Sequence, residues 1–315
     1  MSLVTYDLMG NKRDKVQIAI DRLKAFEPPD GYYLAFSGGK DSQCIYHLAQ
    51  MAGVKFDAHY RVTSVDPPEL VRFIKREYPE VSFDIPHDKD GKPISMWNLI
   101  PKKLMPPTRT VRYCCAVLKE TGGTGRVVVT GVRHAESPRR KEMHGVVTMP
   151  NGKVAKVAAE NGANFVETVR GGVILNLDND AERRTVEQCF RTNITMLNPI
   201  VDWKEEDVWE FLNDVAKIPH CELYDQGFKR LGCIGCPMAN NKADELERYP
   251  KYKAAYLRAF KRMLDERDRR GKTGAIYFTS PEAVMDWYLD KVPKGAALDG
   301  QLTIEELMDA SEVES

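Results

Sequence analysis

The chain has 315 residues, enough for one large domain or two modest ones with a real core. With 43% hydrophobic and 29% charged residues and a formal net charge of zero, it reads as an ordinary globular protein that does not attract polyanions through overall charge. No apolar run approaches a membrane span, and the opening MSLVTYDLMGNKRDK lacks the order of a signal peptide, so a cytoplasmic protein without membrane contact is expected.

Residues 13–26 carry apolar side chains at helical spacing, and Pro28-Pro29 ends that helix. Tyr32 to Phe36 is a short apolar run stopping at Ser-Gly-Gly, which predicts a buried strand. A helix from Asp41 to Met51 follows, with Gly53 beyond its end. Lys55–Tyr60 predicts a second strand, Pro67-Pro68 opens a helix through Glu77, and Val81–Ile85 and Arg126–Thr130 predict two more strands. Strands alternating with helices predict an α/β fold with a mainly parallel sheet. Between 143 and 196 the pattern changes. Pro150-Asn151-Gly152-Lys153 and Arg170-Gly171-Gly172 read as hairpin turns, so this stretch is expected to be a strand-rich insertion. The α/β pattern resumes at Asn198-Pro199-Ile200-Val201-Asp202-Trp203 and a helix from Lys204. The rest reads as helical: 242–268, 281–290 with Ser280 as N-cap, and a short helix capped by Thr303 and Glu306 before a frayed acidic end. The expected division is an α/β domain over 1–240 and a helical extension over 241–315.

The loop Ser37-Gly38-Gly39-Lys40-Asp41-Ser42 lies between a strand and a helix. Its glycines permit a sharp turn that brings N–H groups towards an anion, and the helix presents its positive end there. Lys40 adds charge, Ser37 and Ser42 add hydroxyls, and Asp41 suits a Mg2+ ligand or a helix cap. The spacing is not that of a Walker A loop.

Four of the seven cysteines form two pairs, Cys114-Cys115 and Cys233-x-x-Cys236, while Cys44, Cys189 and Cys221 stand alone and read as small buried hydrophobes. Where thiols stay reduced, clustered cysteines point to metal or chemistry. A 4Fe-4S cluster takes four thiolates, and so does structural zinc, though adjacent cysteines fit a zinc knuckle poorly. Free or redox-active thiols are the third reading. Arg112 and Lys119 would lie near such a cluster.

Ser-Gly-Gly-Lys-Asp-Ser after a strand resembles the pyrophosphate loop of the adenine nucleotide α-hydrolase superfamily. Gly131-Val132-Arg133-His134-Ala135-Glu136-Ser137, the 198–203 segment before Val208-Trp209, and Leu223-Tyr224-Asp225-Gln226-Gly227-Phe228 with Arg230-Leu231-Gly232-Cys233 narrow the resemblance. It becomes that of the phosphoadenosine phosphosulfate (PAPS) reductase family, over about 30–240 outside the insertion. The resemblance implies a doubly wound sheet with the nucleotide across the strands' carboxyl ends. It assigns nucleotide contacts to Ser37, Gly38, Gly39, Lys40, Asp41, Ser42, Gly131, Arg133, Arg139 and Arg140, with catalytic roles for Lys40, Asp41 and Arg133. For Arg139-Arg140-Lys141 a solvated charge run is the alternative. The segments around Cys114-Cys115 and Cys233-Ile234-Gly235-Cys236-Pro237 resemble the cluster-binding segments of adenylylsulfate (APS) reductases.

Sulfonucleotide reductases of this kind carry a further nucleophilic cysteine in a Glu-Cys-Gly-type motif, and no cysteine follows Cys236 here. The resemblance therefore implies an enzyme that splits ATP into AMP and pyrophosphate to activate an acceptor for sulfur transfer. Its cofactors would be Mg2+ and the cluster, and its partners a nucleic-acid acceptor and a sulfur donor such as a cysteine desulfurase. The alternatives are a PAPS or APS reductase releasing sulfite, with Cys189 or Cys221 displaced into the nucleophile's role, and a non-catalytic nucleotide- or nucleic-acid-binding subunit. The last would use Arg258, Lys261, Arg262, Arg267, Arg269, Arg270 and Lys272, which otherwise read as a solvated helix face.

Overall fold

The structure is a computed structural model and describes residues 2–6, 9–150, 154–168, 172–191, 194–271 and 278–291. Strands β1 (Val4–Tyr6) and β2 (Lys12–Asp14) pair antiparallel, and the Asp14 carboxylate caps α1 (Lys15–Ala25) by accepting from Val16 N and Gln17 N. The α/β run continues through β3 (Tyr32–Ala35), α2 (Lys40–Ala52), β4 (Phe56–Arg61), α3 (Pro68–Glu77) and β5 (Ser82–Asp84). Helices α4 (Met96–Lys103) and α5 (Tyr113–Leu118) precede β6 (Val127–Val129). Then come α6 (Pro138–Met143), β7 (Val147–Met149), α7 (Val154–Glu160), β8 (Phe165–Glu167), β9 (Val173–Leu175), α8 (Asp180–Cys189), β10 (Thr195–Leu197) and α9 (Glu205–Glu210). Helix α9 runs on into a π-helical turn, Phe211–Ala216, and the chain ends in α10 (Lys242–Arg248), α11 (Pro250–Arg269) and α12 (Pro281–Tyr288).

Two compact units share the chain by turns. The first takes the residues up to 61, 68–84 and 121–231; the second takes 62–67, 85–120 and the residues from 232. Residues 62–67 and 85–120 fall in the second unit.

In the first unit the main sheet runs β5-β4-β3-β6-β10-β7-β9-β8. The five strands from β5 to β10 pair parallel, and β7, β9 and β8 add an antiparallel edge. The sheet is thus the α/β, mainly parallel one expected. Val127, Val128 and Val129 are all buried, as the unbroken apolar run of a parallel strand requires. From β3 the chain first builds β4 on one side and later β6 on the other, so β3 and β6 flank a topological switch point.

The insertion differs from its expected form in two places. Residues 151–153 lie outside the described residues, but helix α7 follows them, so β7 has no hairpin partner there and pairs with β10 and β9 instead. Helix α8 also falls inside it, capped by Asn179, whose side chain accepts from Ala181 N and Glu182 N. Strands β8 and β9 do form a hairpin, although residues 170 and 171 of its turn lie outside the described residues. Asn198, fully buried beyond β10, ties the insertion down: its amide donates to Gly145 O at 2.8 Å and Thr148 Oγ1 at 3.4 Å.

The second unit is helical among its described residues. Its core gathers Leu99 and Ile100 of α4, Tyr113 and Leu118 of α5, Tyr256, Phe260 and Met263 of α11, and Val284 and Tyr288 of α12. The expected helix over 242–268 is two helices, because Pro250 lacks an N–H and opens α11 as its first residue. Ser280 caps α12, accepting from Ala283 N. The helix expected after Thr303 and the acidic end lie outside the described residues. No helix among the described residues is long and apolar enough to cross a membrane.

Candidate functional site

At the end of β3 the chain turns through Ser37-Gly38-Gly39 into α2. Gly38 has φ +72°, and a Cβ there would stand 2.6 Å from Ile74 Cγ1 and 2.8 Å from Leu70 Cδ1, so the turn demands glycine. Gly39 is the N-cap of α2 and supplies no side-chain cap. Hydroxyls line the turn: Ser37 Oγ donates to Ser42 Oγ at 3.2 Å, and Ser42 Oγ donates to Gly39 O at 2.8 Å. Lys40 N donates to the Tyr224 hydroxyl at 2.9 Å.

Four charges meet beside this turn. Arg133 Nε lies 2.6 Å from Asp41 Oδ1, and Arg133 Nη2 lies 3.0 Å from Glu205 Oε2. Lys40 Nζ lies 3.3 Å from Glu205 Oε1 and 3.9 Å from Asp41 Oδ2, and it donates to Lys229 O at 3.0 Å. Both cations are almost shut from water, which is tolerable because each faces two carboxylates. Burial raises the Asp41 carboxyl against the pull of Arg133 and Lys40. Burial would also raise the Glu205 carboxyl, but the Lys40 charge and the Arg133 hydrogen bond carry it below its usual range. Arg133 ends above its ordinary value, the effect of burial being outweighed by Asp41 and Glu205.

Lys40, Asp41 and Arg133 are therefore brought together, from α2 and from the segment after β6. Gly131 is there as well, in a steric role: a Cβ would meet Asp41 C and O at 2.9 Å. Arg139 and Arg140 lie on α6 outside this network; Arg139 is exposed and Arg140 reaches back to Glu136 at 3.7 Å. Glu205, Tyr224 and Lys229 join the site without having been expected there. Tyr224 falls within a family motif and Glu205 opens an expected helix, but neither sequence signal reveals its partners.

In the second unit Cys114 is buried and Cys115, Cys233 and Cys236 are half-buried; all four are free thiols. They are electrostatic neighbours. A hydrogen bond to Cys115, with burial, pushes the Cys114 thiol up, and Cys233 adds to it. Cys115 is pulled down by that bond from Cys114 and by Arg112 and Lys119, against burial. Burial raises Cys233, which Lys119 opposes and Asp66 and Cys236 reinforce. The Cys233 charge in turn raises the Lys119 ammonium, and Asp66 adds to it. Asp66 accepts from Thr63 N at 3.1 Å and Thr63 Oγ1 at 2.7 Å, which fixes its carboxylate near Cys233 Sγ, 3.9 Å away. Among the described residues no group of three or more His, Cys, Asp or Glu is set to hold a metal ion. Cys44, Cys189 and Cys221 are buried, as small apolar residues would be. Arg262 of α11 donates to Trp97 O, and Arg269 at its end and Arg270 just beyond close on Glu266, so part of the supposed basic face is already paired; Lys272 lies outside the described residues.

A family model described as the phosphoadenosine phosphosulfate reductase domain matches residues 31–239. An uncharacterized protein of Methanocaldococcus jannaschii is 27% identical over 246 residues, covering 75% of this chain and 47% of that protein. An adenosine 5'-phosphosulfate reductase of Staphylococcus epidermidis is 22% identical over 200 residues, covering 60% of each. The chain thus spans less than two thirds of the length of either relative. Among solved structures, phosphoadenylyl-sulfate (PAPS) reductase from Candida auris, a phosphate complex, aligns with TM-score 0.40 and 15% identity over 68% of this chain and 87% of that one. Candida glabrata FMN adenylyltransferase in complex with ATP aligns with TM-score 0.39 and 18% identity over 70% and 61%. With its model matched from 31 to 239, the chain belongs to the phosphoadenosine phosphosulfate reductase family.

Proposed function

We propose that the first unit binds an adenine nucleotide by its phosphates at the 37–42 turn, and that the protein cleaves ATP to AMP and pyrophosphate to activate an acceptor for sulfur transfer. The observation carrying the phosphate site is the pair of buried cations, Lys40 and Arg133, at the switch point beside a glycine turn. Lys40 and Arg133 neutralise the charge that develops on departing pyrophosphate. Mg2+ takes one or two carboxylates plus substrate phosphates, and Asp41 fits that demand. Sulfonucleotide reduction is the second reading; it needs an accessible nucleophilic cysteine besides those in the two pairs, and of the three others in the described residues, Cys44, Cys189 and Cys221, each is buried.

By donor type alone the paired cysteines, four free thiols in one unit beside Lys119 and Arg112, are the set a 4Fe-4S cluster takes, although as they stand no three of them are arranged to hold a metal ion. Cys114, Cys115, Cys233 and Cys236 would hold it, and when bound it supplies an electron-accepting, sulfur-bearing centre. The sulfur donor and a nucleic-acid acceptor belong to this reading as partners of the transfer.

The test is anaerobic incubation of the purified protein with ATP and Mg2+, and separately with APS or PAPS and a thiol reductant. AMP and pyrophosphate are expected from the first. Sulfite from the second, without AMP from the first, would establish the reductase reading instead. Iron and acid-labile sulfide near four per chain are expected, and a colourless protein with stoichiometric zinc overturns the cluster.

A further inference from the structure

Three of the four charges at the turn are largely shut from water, Asp41 being 28% exposed. Lys40 donates to Lys229 O and its side chain is 5% exposed. Arg133 grips Asp41 at 2.6 Å and is 4% exposed. Glu205 is different: its side chain is 56% exposed, and its two oxygens span the two cations at 3.3 and 3.0 Å. A carboxylate that gives one oxygen to each of two cations makes the same demand as one edge of a phosphate.

We propose that Glu205 is a built-in competitor for the phosphate group. It occupies the anion position in the nucleotide-free protein and is displaced towards water when a phosphate enters. The proposal rests on the reading of the turn as a phosphate site. Without Glu205, Asp41 alone would face two buried cations, leaving one positive charge uncompensated in a poorly hydrated place. Glu205 removes that excess and keeps Lys40 and Arg133 aimed at a common point. Because its stem is open to solvent, rotation about its own side-chain bonds rehydrates the carboxylate with no rearrangement of the buried groups. An entering phosphate must break two charge-assisted interactions before forming its own, so apparent affinity is lowered by the fraction of time Glu205 is in place.

The test is calorimetric titration of the full chain with inorganic pyrophosphate, with EDTA and again with Mg2+, for wild type, Glu205→Gln, Glu205→Ala and Lys40→Ala. Both Glu205 variants are expected to bind metal-free pyrophosphate about tenfold tighter than wild type, the scale of one charge-assisted hydrogen bond that the ligand no longer has to displace. Lys40→Ala is expected to bind more weakly. Unchanged or weaker binding by both Glu205 variants, with wild type still binding, overturns this proposal alone. A loss confined to Mg2+ makes Glu205 a metal ligand and also overturns it. Binding by none of the four proteins removes the phosphate reading and this proposal together.

Discussion

Gly131→Ala isolates the steric part of the candidate site. The added Cβ would stand 2.9 Å from both Asp41 C and Asp41 O and 3.0 Å from Asp41 Cβ. Two of these atoms are helix backbone at the first turn of α2, so no side-chain rotation relieves the clash. Either α2 or the segment after β6 must move by several tenths of an ångström. Overpacking of this kind costs about 1–3 kcal/mol. For a domain of this size that corresponds to roughly 2–4 °C in Tm for each kcal/mol. The displaced residue also carries the carboxylate that holds Arg133 at 2.6 Å. The loss in stability should therefore be less than additive with Arg133→Ala, since each variant disturbs the same pair. Thermal melts of the two single variants and the double variant, with pyrophosphate titrations on each, make the measurement. A Gly131→Ala protein that melts within about 1 °C of wild type and binds pyrophosphate unchanged would refute the reasoning, because the close approach would then be absent.

Arg22→Ala removes hydrogen bonds to Pro199 O and Asp202 Oδ1, both at 2.8 Å, and should cost about 1–3 kcal/mol at neutral pH in urea unfolding. Burial opposes ionisation of Asp202, but Arg22 outweighs it and the carboxyl lies below its usual range. Its contribution is fully present above the unfolded carboxylate value near pH ~4 and fades as pH falls below that, so the gap between wild type and variant should close in acid. A gap that stays constant from neutral pH down to about 2 would discount the ion pair. Asn198→Ala strips its two amide hydrogen bonds to the insertion from a fully buried site and should cost about 2–4 kcal/mol. Hydrogen exchange should accelerate at Gly145, Val146 and Val147, and slow exchange there in the variant would contradict that anchoring role. Gly38→Ala forces φ +72° on a side chain that meets Ile74 and Leu70 within 2.8 Å, and it is expected to lower Tm more than Gly39→Ala, whose nearest neighbour is Tyr224 OH at 3.4 Å.

The strand–turn–helix at 32–52 was legible because its signals are local: an apolar run, a glycine that only a left-handed turn explains, and a helix ending at Gly53. That Lys40, Asp41 and Arg133 lie close together agrees with the motifs around them, although Gly131, expected to touch the ligand, is constrained most evidently by the backbone of Asp41. Glu205 was not legible, because its partners lie 72 or more positions away and nothing in its own helix reports them. Helix α8 escaped despite its Asn179 cap, since its exposed charges hid the apolar stripe of Val186 and Cys189. The antiparallel edge was read as hairpins because three-residue strands such as Val147–Met149 carry too little alternation to name their partners. The interleaving of the units was equally hidden, since it depends on pairings distant in sequence, such as Ile234 N with Val65 O at 2.7 Å.

That interleaving sets a timetable for synthesis. The second unit is assembled from segments at 62–67, 85–120 and beyond 232, with most of the first unit's sheet translated in between. Cys114 and Cys115 leave the ribosome well before Cys233 and Cys236, by an interval on the order of ten seconds at about 5–20 residues per second. During that interval the early pair has neither its later thiol neighbours nor the aromatic core from α11 and α12. Whatever the four thiols come to share is taken up after translation has passed Cys236. A chain halted between the end of β10 and residue 231 carries the strands of the first unit and an early thiol pair without its later neighbours, open to oxidation and to quality control.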